Sequence, residues 1–367
     1  MAAGASGGHV YPALATAEVL RARGHDVSFA GGDRLEATVV PEAGFPFHAL
    51  PVRRPPSVRI ELLTPRGIGA TLSIVRAVFV AGRLIEELRP DVVVGMGGFA
   101  AVPVTLAAAR KKTKLVLHEQ NAHLSLAQRI PLRWADVLAL GLPVEERLPR
   151  IHVEVVGQPV RRSITALASM NDDERTTLRA SARARLGLEA DTPTLFVFGG
   201  SLGSGPLNET MPRVRLPDGA QILHLAGTGR DGSVRDTWRA AGRHAVVLPY
   251  LETIESAYAA ADVVVARAGA SSVAEFALAG LPSILVPLPT LRRGDQEANA
   301  RVLERAGAAV VVMQSDPAFV DRLGTEATRL LTDAAVRASM SAAARSVAKP
   351  DAAERLADVI EATAGAT

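Results

Sequence analysis

Short apolar runs and longer stretches of helical periodicity alternate along the whole chain. Apolar runs such as DVVVG from Asp91 and TLFVFGG from Thr194 end in glycine-rich turns, and Ala- and Leu-rich segments follow them. Strands that alternate with helices in this way are typical of parallel sheets covered by helices. The pattern therefore predicts an α/β fold built from repeated strand–helix units.

One strand–turn–helix segment occurs twice. DVVVGMGGFAAVPVTLAAA begins at Asp91 and DVVVARAGASSVAEFALAG begins at Asp262, 171 residues later. In both halves a further strand and a loop with Gln and Asn follow, in LVLHEQNA and in SILVPLPTLRRGDQEANA. The order of these matches indicates two similar Rossmann-like halves, although a chain rich in Ala, Val and Gly also produces such similarities by chance.

A proline-anchored turn and a polar linker separate the two halves. The turn is GQPVRR at residues 157–162, and the linker includes NDDERTTLRASARAR. We place the boundary at the turn, which gives an N-terminal domain of residues 1–160 and a C-terminal domain of residues 161–349. Because Pro350 interrupts the last Ala-rich region, we expect the final helix, within residues 350–367, to pack back on the first domain.

Composition narrows the class of protein. The 367 residues include no cysteine, 48% are hydrophobic and 22% are charged, and there is no long apolar run. We therefore expect a globular cytoplasmic chain without a membrane span or signal peptide. The lack of cysteine excludes disulfides, thiolate metal sites and cysteine nucleophiles. A net charge of +3 and an aromatic content of 4% give no reason to expect nucleic-acid binding.

The first glycine-rich turn is GASGGH at residues 4–9, and it leads into a helix with Pro12 in its first turn. Backbone N–H groups of such a turn can approach an anion, and the positive end of the helix dipole lies there. His9 stands at this helix entrance. Because the ordinary pKa of histidine lies near neutral pH, His9 is a candidate base for a sugar hydroxyl. A structural or capping histidine is the alternative.

The glycine-rich segment GGSLGSG at residues 199–205 repeats the strand-to-turn pattern in the second half. It matches neither the dinucleotide-binding fingerprint nor the GK[ST] ending of a phosphate-binding NTPase loop. Ser201 does fit the GxSxG pattern of hydrolases literally. Since no Asp and His follow in convincing strand-end loops, a hydrolase is the weaker interpretation.

The segment RAGASSVAEFALAGLP, residues 267–282, is the most informative. Small residues at 268–272 allow a tight turn into a helix, whose first N–H groups, at Ser271 and Ser272, can hold a diphosphate. Glu275, one turn further, can accept hydrogen bonds from both hydroxyls of a ribose, or it compensates the helix dipole without a ligand. No Asp-x-Asp pair follows a strand, so we expect no metal and take Arg161 as a candidate partner of the leaving diphosphate.

Seven motifs in order resemble those of the peptidoglycan UDP-N-acetylglucosamine transferase family (MurG), and they run nearly from end to end. They are GASGGHVYPALA, GMGGFAAVP, LHEQNA, VVGQPVR, GGSLGSGPLNETMP, ADVVVARAGASSVAEFALAGLP and DQEANA. The resemblance implies a GT-B fold, in which two Rossmann-like domains face each other across a cleft. It implies an inverting transfer of GlcNAc from UDP-GlcNAc to the 4-hydroxyl of MurNAc in lipid I, which yields lipid II and needs no cofactor.

The resemblance also implies a role for individual residues. His9 is the candidate catalytic base. The candidate substrate-binding residues are Ser6, Gly7 and Gly8 at the cleft, Asn121 and Gln296 at the GlcNAc, Arg161, Ser201 and Ser272 at the diphosphate, Glu275 at the ribose, and the backbone near Leu251 at the uracil. Ala270 and Ser271 are further candidates in the same donor site. Other cell-wall synthesis proteins are expected partners.

Three features depart from the family pattern. Ser6 stands where the family usually has Thr, and Asp295, after the sequence RRG, stands where it usually has Gln or His. The change at Asp295 favours a related transferase with another donor or acceptor as an alternative. Only residues 1–3 precede the first glycine turn, whereas a strand usually has about 5 residues, so we expect either a start that lies too late or a truncated first strand. A degenerate nucleotide-sugar-binding protein and a UDP-GlcNAc epimerase are further alternatives.

A polyprenyl-linked acceptor requires attachment to the cytoplasmic face of the membrane. The helical stretch 71–85 carries the apolar residues Leu72, Val75, Val78 and Phe79 together with Arg76 and Arg83. Such a stretch is typical of an interfacial patch bordered by cations. An ordinary buried helix face is the other interpretation.

Overall fold

The computed structural model describes residues 1–4, 7–52, 64–200, 202–289 and 295–365. Contacts within the chain divide it into two compact units. Unit 1 contains Met1–Arg161 and Asp351–Thr367, and unit 2 contains Arg162–Pro350. The sequence pattern puts the boundary after residue 160.

Unit 1 consists of parallel strands flanked by helices. All of its strand pairs are parallel. The strands are β1 Phe29–Gly31, β2 Phe47–Ala49, β3 Val92–Gly95, β4 Lys114–Glu119, β5 Val137–Leu140 and β6 His152–Val155. The helices are α1 Gly7–Ala22, α2 Leu35–Glu42, α3 Pro65–Leu88, α4 Val102–Lys111, α5 Leu126–Arg129 and α15 Ala352–Gly365. β1 pairs with β2, and the other four strands pair in the order β3-β4-β5-β6.

Residues 1–3 lie between these two sets of strands. Buried Ala2 forms parallel bridges with Ala30 of β1 and with Gly95 of β3. Its amide donates a hydrogen bond to the Val94 carbonyl at 2.7 Å. The segment is too short for a regular strand, but it occupies the central strand position and joins the two halves of the sheet.

Unit 2 contains one six-stranded parallel sheet with the order β12-β11-β10-β7-β8-β9. Its strands are β7 Thr194–Phe198, β8 Gln221–Leu225, β9 Ala245–Leu248, β10 Val263–Ala266, β11 Ser283–Leu285 and β12 Ala309–Val311. Its helices are α6 Arg162–Ser169, α7 Asp172–Leu186, α8 Gly205–Thr210, α9 Asp231–Ala240, α10 Ile254–Ala260, α11 Ala270–Ala279, α12 Asp295–Arg305, α13 Phe319–Thr332 and α14 Ala334–Val347.

The strand orders confirm the prediction of two Rossmann-like units. In each unit the first strand lies beside the fourth, which places residues 1–3 next to β3 and places β7 next to β10. The repeated sequence segments form β3 with α4 and β10 with α11, so they occupy the same position in their sheets. Strand order reverses at this position, and doubly wound sheets bind ligands there, outside the carboxyl ends of the strands.

The polar stretch predicted as a linker forms most of helix α7. Asn171 accepts a hydrogen bond from the Glu174 amide, and the Glu174 carboxylate accepts one from the Asn171 amide, so a capping box starts the helix. Acidic residues occupy its first turn, and Arg183 and Arg185 lie in its last turn, in line with the helix dipole. The linker interpretation was therefore wrong for residues 172–186.

The last helix, α15, belongs to the core of unit 1. Its buried Leu356 and Ile360 share one apolar cluster with Val10 and Leu14 of α1. At the rim, Arg23 donates to Asp358 and Glu361 at 2.7 Å each. Apolar burial contributes far more stability than such exposed ion pairs, so α15 is held mainly by its apolar face.

Candidate active site

The switch point of unit 2 lies between β7 and β10. Residues 199–205 follow β7, and residues 267–269 follow β10 and lead into α11. Leu251 lies just after β9, and Gln296 lies in α12, which follows β11. Because the carboxyl ends of parallel strands meet at one edge, the structure gathers the sequence-predicted donor residues of unit 2 at that edge. Ser201 lies outside the described residues.

Backbone contacts determine the shape of the glycine-rich turn after β7. Gly203 has φ +70°, and a Cβ atom there would lie 2.1 Å from the Ala226 carbonyl oxygen. A Cβ atom on Gly199 would lie 2.3 Å from the Ser204 amide nitrogen. Both positions therefore require glycine, and the turn is packed closely against the end of β8.

A buried hydrogen-bond network leads to Ala226, against which this turn packs. Trp238 Nε1 donates to His224 Nδ1 at 3.0 Å, so the proton of His224 is on Nε2, which donates to Asn208 Oδ1 at 3.0 Å. Asn208 Nδ2 in turn donates to the Ala226 carbonyl at 2.9 Å. Burial lowers the pKa of His224 to about 3, which keeps the ring neutral and this tautomer fixed.

Helix α11 presents its first turn to the switch point. Ala270, Ser271 and Ser272 form that turn, and the first N–H groups of a helix point out of its N-terminal end. One turn further, the Glu275 Oε2 atom accepts a hydrogen bond from the Tyr258 hydroxyl at 2.5 Å. Tyr258 is buried against Phe276 and therefore fixes the direction of the carboxylate. No local sequence pattern points to a role for Tyr258.

Gln296 ties α12 to two strand-end loops. Its Oε1 atom accepts hydrogen bonds from the Leu288 amide at 2.9 Å and from the Ala268 amide at 3.3 Å. Buried Asn299 donates to the Ala268 carbonyl at 3.1 Å. Because Oε1 already accepts two hydrogen bonds from backbone amides, Gln296 would contact a ligand through its Nε2 group.

Arg267 lies beneath the loops that follow β7 and β11, and no local sequence pattern points to a role for it. The residue is 6% exposed. Its guanidinium donates to Ser204 Oγ, to the carbonyls of Val286 and Pro287, and to Gln314 Oε1, at 2.9–3.1 Å. Burial lowers the pKa of Arg267, but a guanidinium does not lose its proton in a protein. A positive charge is therefore present at this end of the sheet.

The switch point of unit 1 is also made of glycine-rich loops, one after residues 1–3 and one after β3. Gly98 has φ +80°, and a Cβ atom there would lie 2.3 Å from the Gly4 carbonyl oxygen, so the two loop backbones touch. Gly7 and Gly8 are the first two residues of α1. Ser6 lies outside the described residues.

His9 lies in the first turn of α1, half-buried against the second loop. A Cβ atom on Gly97 would lie 2.8 Å from His9 Cδ2. Burial lowers the pKa of His9 below its ordinary value, while the buried carboxylates of Glu119 and Glu36 partly oppose this shift. The imidazole is therefore neutral at neutral pH and able to accept a proton, and both carboxylates would stabilise the charged form.

The carboxylate of Glu119 organises the loop that carries Asn121. Its Oε1 atom accepts hydrogen bonds from the amides of Gln120 and Asn121 and from Asn121 Nδ2 at 2.9–3.0 Å. Its Oε2 atom accepts one from the Ser125 amide at 2.8 Å. In the LHEQNA motif the family resemblance implies a role for Asn121 alone, and the structure adds Glu119 as the residue that orients it.

Arg161 lies in unit 1, with its guanidinium carbon 5.3 Å from the centre of the Tyr11 ring on α1. It therefore belongs with the helix that carries His9. The other candidate diphosphate residues in the described chain, Ser271 and Ser272, belong to unit 2.

Helix α3 exposes large apolar side chains. Leu72 is 63% exposed, Val75 50% and Phe79 61%, and the exposed Arg76 and Arg83 lie among them. Small or aliphatic residues on another face, Ala77, Ala81 and Ile85, are buried in the core. The buried-face interpretation is therefore wrong for Leu72, Val75 and Phe79 and right for Val78, which packs against that core. In the described chain no helix is both long and apolar enough to cross a membrane.

Comparison with known domain families covers most of the chain. The glycosyltransferase family 28 N-terminal domain matches residues 1–139, and the C-terminal domain of the same family matches residues 194–356. These two matches fall in unit 1 and mainly in unit 2, respectively.

Individual relatives match almost over their full length. The UDP-N-acetylglucosamine–N-acetylmuramyl-(pentapeptide) pyrophosphoryl-undecaprenol N-acetylglucosamine transferase of Cutibacterium acnes is 42% identical, with 97% of this chain and 95% of the relative covered. The protein of the same name from Nocardioides is 38% identical, with 98% and 96% covered. The crystal structure of Acinetobacter baumannii MurG superimposes with a TM-score of 0.76 at 29% identity, covering 99% of this chain and 98% of that one.

Proposed function

We infer the reaction from one premise: the chain belongs to glycosyltransferase family 28, and within it to the MurG group of N-acetylglucosamine transferases. It transfers GlcNAc from UDP-GlcNAc to undecaprenyl-pyrophosphoryl-MurNAc-pentapeptide, which converts lipid I into lipid II in peptidoglycan synthesis. The observation that carries this proposal is the near full-length match to transferases of that name. The hydrolase, epimerase and degenerate-protein alternatives lack such support.

Unit 2 holds the donor in this proposal. The diphosphate lies at the first turn of α11, where the N–H groups of Ser271 and Ser272 face the switch point. Glu275, oriented by Tyr258, accepts hydrogen bonds from the ribose hydroxyls. The backbone near Leu251 contacts the uracil, and the Nε2 group of Gln296 contacts the sugar. The clustering of these residues at one sheet edge supports the assignment.

Unit 1 supplies the base. Neutral His9 takes the proton of the MurNAc 4-hydroxyl as the oxygen attacks the anomeric carbon from the face opposite UDP. The bond between that carbon and the diphosphate breaks, UDP leaves, and a β-linkage forms. Arg161 and the N-terminus of α11 stabilise the charge on the leaving diphosphate. Asn121, oriented by Glu119, contacts the GlcNAc.

The exposed face of α3 attaches the protein to the cytoplasmic face of the membrane in this proposal. Leu72, Val75 and Phe79 provide apolar area, and Arg76 and Arg83 attract anionic headgroups. Phe79→Ser should weaken partition onto phosphatidylglycerol vesicles roughly 10-fold, since an aromatic side chain is lost from the interface. Val320→Ser, which changes an exposed valine of unit 2, is the matched control. Equal partition of both variants would rule out this face.

The transfer assay tests the reaction itself. The protein is incubated with labelled UDP-GlcNAc and a short-chain lipid I analogue, with UDP-GalNAc and acceptor-free reactions in parallel. We expect a disaccharide product with UDP-GlcNAc only. Product from UDP-GalNAc instead would favour a transferase with an altered donor, as the departure at Asp295 suggests, and UDP binding without any product would reject the proposed reaction.

A further inference from the structure

Arg267 connects the ends of four parallel strands. It follows β10 directly, and its guanidinium reaches Ser204 in the loop after β7, Val286 and Pro287 after β11, and Gln314 after β12. These four hydrogen bonds use four of the five N–H groups of a guanidinium. All of the acceptors are neutral. Arg267 forms no ion pair with Asp or Glu in the chain that the structure describes.

A second buried arginine of the same unit shows the contrast. Arg183, which is 1% exposed, lies at the opposite, amino end of β10. There it pairs with Asp262 at 2.8 Å, and it also donates to the Ala260 carbonyl. Burying a charge is costly unless an opposite charge compensates it. In unit 2 a carboxylate therefore pairs with the buried arginine at the amino end of this strand, and among the described residues none pairs with Arg267 at the carboxyl end.

Arg267, which has no carboxylate partner in the part of the chain that the structure describes, lies at the end of β10 that carries the two loops proposed to hold the diphosphate. The Arg267 Nε atom lies 3.1 Å from Ser204 Oγ in the turn after β7, and the next residue, Ala268, begins the turn into α11. In a site with few mobile dipoles, the field of a buried charge acts over several ångströms with little screening. A ligand anion held by these loops therefore lies within the field of Arg267.

We propose that Arg267 is a positioning residue whose buried charge is compensated by the diphosphate of the bound nucleotide. It touches the loops, holds them together and attracts the anion through them, without direct contact with the substrate. In the transfer reaction the same charge stabilises the UDP leaving group as the negative charge on it increases. This inference rests on the proposed nucleotide-sugar function of unit 2.

Gln314→Glu is the sharpest test because it leaves Arg267 in place. The Gln314 Oε1 atom lies 2.9 Å from Arg267 Nη2, so a carboxylate of nearly the same shape would neutralise the charge within the protein. Calorimetric titrations would compare UDP, UMP and uridine. We expect the affinity for UDP to fall roughly 10-fold, that for UMP to fall less and that for uridine to stay unchanged, because only the phosphate-bearing ligands feel the lost field.

Three further variants separate charge from structure. Arg267→Gln should lose the preference for UDP over uridine, and Arg267→Lys should keep most of it even if both melt at lower temperature. Arg183→Gln should also lower the melting temperature, because it removes one of the two arginines that pair with buried Asp262, but it should keep the preference for UDP.

The outcomes are distinct. If the wild type binds UDP, and folded Gln314→Glu keeps the wild-type ratio of UDP to uridine affinity, Arg267 has only a structural role and the inference is wrong. An equal loss of uridine and UDP affinity in that variant would lead to the same conclusion. If the wild type does not bind UDP at all, the proposed function of unit 2 has failed instead.

Discussion

The two switch points are built alike and differ in their charges. Each lies between the first and fourth strands of a parallel sheet and contains a glycine-rich turn. In unit 1 the backbones of the two loops touch, whereas in unit 2 the turn after β7 touches the end of β8. In unit 1 a half-buried histidine lies near two buried carboxylates, Glu36 and Glu119. In unit 2 a buried arginine lies under the loops without a carboxylate partner in the described chain.

This difference shows how one architecture supports two kinds of chemistry. Carboxylates near an imidazole help it to accept a proton, whereas a buried guanidinium favours an anion. The strand order fixes where the loops meet, and a few side chains determine what they do. We therefore expect substitutions in unit 1 to affect turnover and substitutions in unit 2 to affect nucleotide binding.

The largest effect is expected from His9→Ala. Loss of a general base typically lowers a rate by about 10²–10⁴-fold, so kcat should fall by at least about 100-fold. The affinity for UDP should stay within a factor of two or so, because His9 belongs to unit 1. His152→Ala, at an exposed position of edge strand β6, is the control. A variant with normal kcat would remove His9 from the mechanism.

Glu275→Ala should do the opposite of His9→Ala, because it should weaken UDP binding more than it lowers kcat. A hydrogen bond to a charged group contributes about 1.5–3 kcal/mol, so the Kd for UDP should rise roughly 10- to 100-fold. Binding of 2′-deoxy-UDP should change less, because it lacks one of the hydroxyls that Glu275 is proposed to accept. Glu326→Ala, on α13, is the control. Equal losses for both nucleotides would argue against a ribose contact.

The third prediction compares two glycines that share a positive φ. Gly97→Ala would place a Cβ atom 2.8 Å from His9 Cδ2, and Gly203→Ala would place one 2.1 Å from the Ala226 carbonyl oxygen. We expect kcat to fall about 10-fold in the first variant and UDP binding to weaken about 10-fold in the second, since each displaces its own loop.

Two other glycines isolate the effect of backbone strain. Gly24 and Gly242 also have positive φ, at +92° and +69°, but a Cβ atom on either would meet nothing within 4 Å. Alanine at these positions should lower the melting temperature slightly and leave both kcat and UDP affinity unchanged. If Gly24→Ala lowers kcat as much as Gly97→Ala, strain rather than contact with His9 explains the loss.

The smallest effect is a shift of the pH profile. The neutral imidazole is the active form, so kcat should fall as the pH drops through the pKa of His9, which burial places below its ordinary value. Glu36 raises that pKa, so Glu36→Gln should move the acid limb to lower pH, by less than about one unit. Glutamine keeps an acceptor for the Gly32 amide, which limits structural damage. A limb that moves to higher pH would contradict the assigned electrostatics.

Much of this arrangement follows from local sequence. Apolar runs that end in glycine predicted the strands, and the repeat from Asp91 to Asp262 predicted two similar units. The sequence also contains the capping box at Asn171, because Asn followed three residues later by Glu is a helix-start signal. This segment was nevertheless interpreted as part of a linker. These signals are readable because they depend on neighbours within a few residues.

The supporting contacts depend on partners that lie far apart in the sequence. Arg267 and Gln314 are 47 residues apart, and Tyr258 lies 17 residues before Glu275. No periodic pattern links such pairs. The surface of α3 was ambiguous for another reason, because alanines form much of its buried face and leave larger apolar residues exposed. Hydrophobicity alone does not determine which face is buried.

The most direct test of the contrast between the two switch points is the pKa of His9 itself, measured by NMR of the labelled imidazole in the full chain. We predict a value below 6.5, the ordinary pKa of histidine, and a still lower value in Glu36→Gln. A value above 6.5 in the wild type would contradict the assigned electrostatics, and a value well above neutral pH would mean that His9 is largely protonated there. In that case it would not act as the base, and the assignment of proton transfer to unit 1 would be wrong.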